Sequence, residues 1–158
     1  MKLKQRMLRL LPIIILLSVG LFQNTPAGNS LFLLIPCITT FACFRGEYAS
    51  LFFGIFAGLM WDFSSTAPDG LYTLILAFSA VFVSVMVKKY FRKTLRTSLF
   101  FGGIGLLIFG VVISIVYAHS FGSFMRVFFV DFFFRLLLSF ATIPLFYMMF
   151  RQRKDIYV

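Results

Sequence analysis

The chain has 158 residues, of which 61% are hydrophobic and 13% are charged, and it carries a formal net charge of +10. A soluble domain has about a quarter of its residues charged and about half apolar, so the composition excludes an ordinary soluble fold and indicates an integral membrane protein. The 24 phenylalanines, and the lack of short alternating segments, favour helices in lipid over a transmembrane barrel.

Six apolar stretches, separated by polar or turn-rich segments, predict six transmembrane helices in one all-α domain, residues 1–158. The first follows a basic start, so a cleaved signal peptide is the alternative, with Thr25-Pro26-Ala27 as a poor cleavage site. A retained helix is the preferred interpretation because further apolar stretches follow at once. Pro36 predicts a bend in the second helix. The predicted spans cover residues 8–23, 31–44, 48–63, 71–87, 99–117 and 127–150.

The basic residues predict the orientation of these helices. All but two of the 15 Lys and Arg residues fall on one side when the spans alternate: in the N-terminal segment, at Arg45, in the loop 88–96 and in the tail. Arg126 falls at the other edge. The positive-inside rule therefore predicts that both termini are cytoplasmic. Anionic lipid explains the positive charge, at roughly 1 kcal/mol per basic residue, so no nucleic acid partner is expected. The predicted lipid or cytoplasmic contact consists of Lys88, Lys89, Arg92, Lys93 and Arg96.

The third predicted helix carries an informative pattern of small residues. Gly54 and Gly58 stand four apart with Ala57 between them, which leaves a smooth face that a second helix can approach closely in lipid. Trp61 and Asp62 follow where the apolar run ends, as at a membrane–water boundary. The face of Gly54, Gly58 and Asp62 is predicted either to pack inside the bundle or to dock a partner's transmembrane helix, and the sequence leaves both alternatives open.

Charged residues near the predicted outer surface form a second candidate site. Asp131 and Arg135 are four apart on the sixth predicted helix and can pair, and Asp62 falls at a similar depth. Because charges within a span cost a few kcal/mol, we predict an outer polar cluster of Asp62, Arg126, Asp131 and Arg135. In it, Asp62 pairs with Arg135 or Arg126, and Asp131 pairs with Arg135. A structural ion pair between two helices is the preferred interpretation, and a contact for a partner or ligand is the alternative.

Side chains suited to catalysis or metal binding are sparse. His119 is the only histidine, and Cys37 and Cys43 do not form a CxxC motif. A metal site needs three or four ligands, and catalysis needs a nucleophile with a base or a pair of acids. The sequence therefore predicts no catalytic, cofactor-binding or metal-binding residues, and a protein that is not an enzyme.

The segment Arg45–Leu74, RGEYASLFFGIFAGLMWDFSSTAPDGLYTL, resembles the rod shape-determining protein MreD family. Members carry a helix with a Gly-x-x-x-Gly-like pattern that ends in an acidic residue, then a loop and a Gly-Leu pair that opens the next helix. The length, the six spans and the cytoplasmic termini are similar too. The matching positions are Gly54, Gly58, Asp62, Gly70 and Leu71.

The resemblance implies a non-enzymatic, inner-membrane scaffold subunit of the bacterial cell-elongation machinery, which helps to control cell shape and side-wall peptidoglycan synthesis. The implied partners are MreC and, alongside it, the MreB filament, a RodA-type glycosyltransferase and a class B penicillin-binding protein. The resemblance also implies a fold like that of the substrate-binding subunits of energy-coupling-factor transporters. A small-molecule-binding subunit of such a transporter is therefore the second hypothesis. The stretch Leu10–Phe22 has no alanine and one glycine, Gly20, unlike the small-residue face with which those subunits couple to the transporter core.

Overall fold

The computed structural model describes residues 2–25, 28, 31–65, 70–121, 129 and 132–151, with the side chains of 2–10 and 118–121 left aside. Within these residues the chain is all-helical. Thr142 alone separates the last two helices, so they form one interrupted sixth helix. The helices are α1 (Lys2–Gln23), α2 (Leu34–Phe44), α3 (Glu47–Asp62), α4 (Leu71–Tyr90), α5 (Leu95–Phe121), α6 (Phe133–Ala141) and α7 (Ile143–Arg151).

Three apolar helices in the described ranges are long enough to cross a membrane by themselves: Leu71–Tyr90, Leu95–Tyr117 and Phe133–Arg151. They have 20, 23 and 19 residues, and a hydrocarbon layer of about 30 Å requires about 20. The chain is therefore a multi-pass membrane protein.

The side chains on the outside of the bundle agree with a lipid environment. Phe52 and Phe56 on α3 are 72% and 49% exposed, and Leu74 and Phe78 on α4 are 70% and 69% exposed. A soluble protein rarely exposes a continuous apolar patch of this kind. Lipid covers such a surface without cost, since its tails are as apolar as the side chains.

The short helix α2 lies at the centre of the bundle. It has 11 residues, and every residue from Leu34 to Cys43 is buried. Its neighbours are α1, α3, α4, α5 and α7, so protein covers it on all sides. Its length of about 16 Å, at 1.5 Å per residue, need not match the bilayer, because a helix end that is buried in protein does not face hydrocarbon.

Pro36 lies in the first turn of α2, which begins at Leu34. A proline costs little there because the first N–H groups of a helix have no intrahelical acceptor. The residue that the sequence marks as a bend therefore lies at the beginning of the helix.

The two basic connections of the chain meet at one end of the bundle, which we call the basic end. Lys88 Nζ lies 3.0 Å from Glu47 Oε1, and Lys93 Nζ donates to the carbonyl of Phe44 at 3.4 Å. Ser84 Oγ donates to the carbonyl of Arg45 at 2.9 Å. The α4–α5 connection thus lies against the α2–α3 turn. The opposite end, where α1 and α3 end and α4 begins, is called the cavity end.

Candidate functional site

Helices α3 and α4 pack together over the small residues of α3. A Cβ atom added to Gly58 would lie 2.2 Å from the Cα of Thr73, and one added to Gly54 would lie 2.8 Å from the Cα of Ala77. These neighbours are backbone atoms, which move only if the whole helix moves. The smooth face is therefore filled by α4 of the same chain, and a partner's helix would have to displace α4 to reach it.

Asp62, the last residue of α3, caps the beginning of α4. Its Oδ1 accepts a hydrogen bond from the backbone N–H of Tyr72 at 3.0 Å, and its Oδ2 accepts from the backbone N–H of Thr73 at 3.0 Å. The hydroxyl of Thr73 donates to Oδ2 at 2.5 Å. The two backbone N–H groups lie in the first turn of α4, where such donors have no acceptor within the helix. A carboxylate at that position is also stabilised by the helix dipole.

The cap comes from another helix because α4 has no capping side chain of its own. Its N-cap residue is Gly70, which has a left-handed φ of 81°, a conformation that glycine adopts without steric cost. The carbonyl of Gly70 accepts the first backbone bond of the helix, from Leu74. Gly70 therefore turns the chain into α4, while Asp62 supplies the acceptor that a serine or aspartate at the N-cap would otherwise supply.

The predicted pairing of Asp62 with Arg135 is not found between these two described residues. Three donors of α4 occupy the carboxylate, and the helix N-terminus offers the positive potential that an arginine would give. Arg126 and Asp131 lie outside the described residues, so the pairs that involve them stay predictions. Arg135 is half-buried and lines a cavity.

This cavity opens at the cavity end and has a volume of about 570 Å³. Small-molecule sites in proteins have volumes of roughly 300–1,000 Å³. Its walls come from the ends of α1, α3 and α5 and from the beginnings of α4 and α6. The aromatic part consists of Phe32, Trp61, Tyr72, Tyr117 and Phe132, and the polar part includes Gln23, Asn24, Ser64, Ser65 and Arg135.

One side of the cavity is a hydrogen-bonded rim between the ends of α1 and α3. Ser64 Oγ donates to Asn24 Oδ1 at 2.7 Å, and Asn24 Nδ2 donates to the carbonyl of Met60 at 3.4 Å. Gly20, one turn earlier on α1, contacts the side chain of Met60. Side chains of Asn24 and Ser64 therefore join the ends of α1 and α3 at the rim.

Gln23, the last residue of α1, is 2% exposed and binds the beginning of α2. Its Oε1 accepts from the backbone N–H of Leu33 at 2.8 Å and of Leu34 at 3.2 Å. Its Nε2 is buried and finds no acceptor in the described part of the chain. An unpaired buried donor costs about 1–3 kcal/mol, so one half of this amide holds α2 in place while the other half remains unsatisfied.

Stacked aromatic rings form the inner wall. The rings of Trp61 and Tyr72 are nearly parallel, with centroids 4.5 Å apart and planes 9° apart. Phe109 lies 5.1 Å from Trp61 and 5.1 Å from Phe32. Phe132 stacks on Phe32 at 5.6 Å. Rings in these arrangements attract one another beyond the area that they bury, so the contacts within the wall stabilise it.

The predicted basic contact lies at the other end of the molecule. Lys88, Lys89, Arg92, Lys93 and Arg96 are all exposed, and none of them lines the cavity. Lys88 pairs with Glu47 and Lys93 donates to the carbonyl of Phe44, and a contact of these residues with lipid headgroups stays a prediction. The two candidate sites are therefore separate.

Sequence reasoning missed the cavity and most of its wall. Gln23 is unremarkable at the end of an apolar stretch, and the five aromatic residues of the wall are among 31 in the chain. One signal was present: a glutamine placed immediately before a turn-rich loop has an amide that can cap the next helix.

The chain matches no protein-family model, no curated protein and no solved structure.

Proposed function

We propose that this chain is a scaffold subunit of the bacterial cell-elongation machinery that works without catalysis and binds MreC. It lies in the inner membrane with both termini in the cytoplasm, and through MreC it helps to control side-wall peptidoglycan synthesis and cell shape. The observation that carries the proposal is the resemblance of residues 45–74 to the MreD family.

The geometry of the matching residues supports this proposal. Gly54 and Gly58 let α4 approach α3, Asp62 caps α4, and Gly70 turns the chain into it. Residues on α3 and at the beginning of α4 therefore serve one helix crossing. A motif whose members share one structural task is better evidence of relatedness than the same residue types scattered over a surface.

In this proposal the basic end of the bundle and its lipid-facing sides contact different partners. The basic end contacts anionic lipid and the MreB filament, because it carries the exposed cations. The lipid-facing sides receive the transmembrane helix of MreC, since packing drives helix association in lipid. The RodA-type glycosyltransferase and the class B penicillin-binding protein are reached alongside MreC.

Co-purification tests the proposal. The full chain is expressed with tagged MreC, extracted in a mild detergent and purified on the MreC tag. We expect the two proteins to elute together, and we expect no recovery with a tagged bitopic membrane protein of unrelated function. If MreC recovers no more of the chain than the unrelated protein does, both in detergent and after cross-linking in membranes, the scaffold proposal fails.

The cavity favours a second candidate function, a small-molecule-binding subunit of an energy-coupling-factor-type transporter. Its volume of about 570 Å³ is large enough for a vitamin-sized molecule, by comparison with known ligand sites of roughly 300–1,000 Å³. The scarcity of small residues in Leu10–Phe22 speaks against coupling to a transporter core. Purified chain that retains a vitamin-sized molecule, together with no recovery by MreC, would favour this second function.

A further inference from the structure

An apolar groove lies between α5 and α6 on the outside of the bundle. It has a volume of about 260 Å³, and the described residues that line it are all apolar. Leu106 and Leu136 are buried in its floor, whereas Leu107 and Leu137 on its two walls are more than half exposed. Water does not fill an apolar space of this kind, and an empty groove would leave its lining without contacts. In a membrane, an apolar group must therefore fill it.

The side chains of the groove favour a flexible chain over a second helix as its occupant. Close helix packing in membranes relies on small residues, and Gly103 is the small residue among the described lining. A Cβ added to Gly103 would lie 2.9 Å from the ring of Phe140, so that ring already covers the glycine. A helix is about 10 Å across, whereas a hydrocarbon chain can follow a narrow space between leucine and phenylalanine side chains.

Helix α5 carries a cation on the same face as the groove. Arg96 precedes Gly103 by seven residues and Leu107 by eleven, which are close to two and three full turns. At 1.5 Å per residue, the groove extends from about 10 Å to about 16 Å away from Arg96. Half of the hydrocarbon layer is about 15 Å thick. A lipid whose headgroup lies at Arg96 therefore has its tail at the depth of the groove.

A second exposed cation lies at the same end of the groove, on the continuation of α6. Arg151 ends α7, and its guanidinium lies 5.9 Å from the ring centroid of Tyr147. The ring of Tyr147 is in turn 5.5 Å from that of Phe44, the last residue of α2 at the basic end. Both helices that form the groove thus lead to an arginine at the basic end.

The charge of the chain selects the headgroup. The whole sequence has 15 Lys and Arg residues against 5 Asp and Glu residues, so its own acids cannot neutralise most of the cations. Basic residues at a membrane surface attract anionic headgroups. A zwitterionic lipid could fill the groove equally well but would gain less from the two arginines.

We propose that the groove between α5 and α6 binds an acyl chain of an anionic phospholipid whose headgroup lies at Arg96 and Arg151. This site rests on the proposed contact of the basic end with anionic lipid, and it assigns that contact one defined lipid position. It does not depend on MreC.

Native mass spectrometry measures the binding. The purified full chain in dodecyl maltoside is titrated with dioleoyl phosphatidylglycerol, and the fraction of protein that carries lipid is recorded. We expect saturable binding that is tighter than that of dioleoyl phosphatidylcholine, which has the same tails and no net charge. Dihexanoyl phosphatidylglycerol has the same headgroup, but its tails are too short to reach the groove, so it should bind more weakly.

A bulky residue in the groove tests the position of the tail. Leu107→Trp places a larger side chain in the space of the tail and should weaken binding of dioleoyl phosphatidylglycerol about tenfold. It should leave binding of dihexanoyl phosphatidylglycerol unchanged. Leu74→Trp is the matched control, because it makes the same change at an exposed position of α4, and it should affect neither lipid. Leu137→Trp on the other wall takes the place of Leu107→Trp if that protein does not fold.

A pair of charge variants tests the position of the headgroup. Arg96→Gln combined with Arg151→Gln removes two exposed cations and should weaken binding of dioleoyl phosphatidylglycerol about tenfold or more. Lys88→Gln combined with Lys89→Gln removes the same charge at the end of α4, a helix that forms no wall of the groove. This control should weaken binding much less.

The proposal is overturned if wild-type protein binds dioleoyl phosphatidylglycerol no more tightly than dioleoyl phosphatidylcholine, or if the folded tryptophan variants of the groove bind as tightly as wild type. Equal losses for the two charge variants would mean that the whole basic end attracts anionic lipid, so the defined site fails while the general contact stands. If Leu107→Trp keeps its lipid but is no longer recovered by MreC, the groove receives a helix and the proposal also fails. Recovery of wild-type chain by MreC is a separate measurement, so the groove and scaffold proposals can fail separately.

Discussion

At Asp62 a single carboxylate joins two helices, and no cation in the described part of the chain forms an ion pair with it. It accepts from two backbone N–H groups and one hydroxyl at the beginning of α4. The contact depends on Gly58, because only a residue without a side chain allows Thr73 to lie so close to α3. The acidic residue and the glycine of the motif therefore serve the same crossing.

Replacing the carboxylate tests the cap. Asp62→Asn keeps the shape but presents an N–H₂ group to donors that need an acceptor. We expect the free energy of unfolding to fall by about 1–3 kcal/mol, the cost of leaving a partly buried donor unpaired. Unfolding in detergent, by heat or by denaturant, measures the change.

Glu47→Gln is the matched control for Asp62→Asn. It also neutralises one acidic residue, but that residue forms an exposed ion pair. The side chain of Glu47 is 39% exposed and that of its partner Lys88 is 73% exposed. Exposed pairs contribute at most about 1 kcal/mol, so this change should be small. Equal losses for the two variants would mean that Asp62 is an ordinary surface carboxylate.

Gly58→Ala tests the close approach of the helices. The added Cβ would meet the backbone of Thr73 at 2.2 Å, so α4 must move away and the Asp62 cap must lengthen. We expect a loss of about 3 kcal/mol or more, at the upper end of overpacking costs, and a lower yield of folded protein. Thermal unfolding in detergent measures it.

Gly46→Ala gives the comparison for Gly58→Ala within the same segment. A Cβ there meets nothing within 4 Å, and the backbone φ of −75° suits any residue. Its stability should stay close to that of wild type. If Gly58→Ala is as stable as Gly46→Ala, the face of α3 does not pack against α4.

Helix α2 shows that an apolar stretch of transmembrane character can lie inside the protein and not in lipid. Its apolar sequence predicts a transmembrane helix like the others, yet it is covered by protein on every side. Hydropathy reports that a helix avoids water but not whether lipid or protein surrounds it. Threonines and cysteines in the stretch were the available hint, because small polar side chains favour helix–helix contact over lipid.

The two threonines of α2 give opposite predictions. Thr39 Oγ1 donates to the carbonyl of Ile35 at 2.9 Å, whereas Thr40 Oγ1 is buried and has no partner among the described residues. Thr40→Val should therefore leave the free energy of unfolding unchanged or raise it by about 1 kcal/mol, while Thr39→Val should lower it by about that amount. Parallel unfolding curves in detergent decide the order, and a larger loss for Thr40→Val would contradict it.

Local patterns made part of the α3–α4 hairpin predictable. The glycines four apart indicated close packing, and Gly70 before Leu71 indicated the beginning of a helix. The partner of Asp62 was not predictable in the same way, because a helix N-terminus attracts a carboxylate but leaves no charged residue in the sequence. The role of Gln23 was not predictable for the same reason, because its side-chain oxygen accepts hydrogen bonds from backbone groups at the beginning of α2.

At the scale of the whole molecule, the two ends of the bundle differ in chemistry. The basic end carries exposed lysines and arginines beside Glu47. The cavity end carries a polar rim and an aromatic wall. Spatial order along the bundle follows from alternating helices, so the sequence predicted which connections share an end. The cavity itself arises from side chains of five helices and left no periodic signal.

We propose that the basic end of this multi-pass bundle faces the cytoplasm and that its cavity end faces outward, and cysteine labelling tests this orientation directly. Cys37 and Cys43 are buried, so they should add little background. Ser64→Cys marks the cavity end, and Arg96→Cys marks the basic end; both positions are exposed. In spheroplasts treated with a membrane-impermeant maleimide, we expect Ser64→Cys to react at once and Arg96→Cys to react only after permeabilisation. Reaction of Arg96→Cys in intact spheroplasts, with Ser64→Cys protected until permeabilisation, would contradict this orientation.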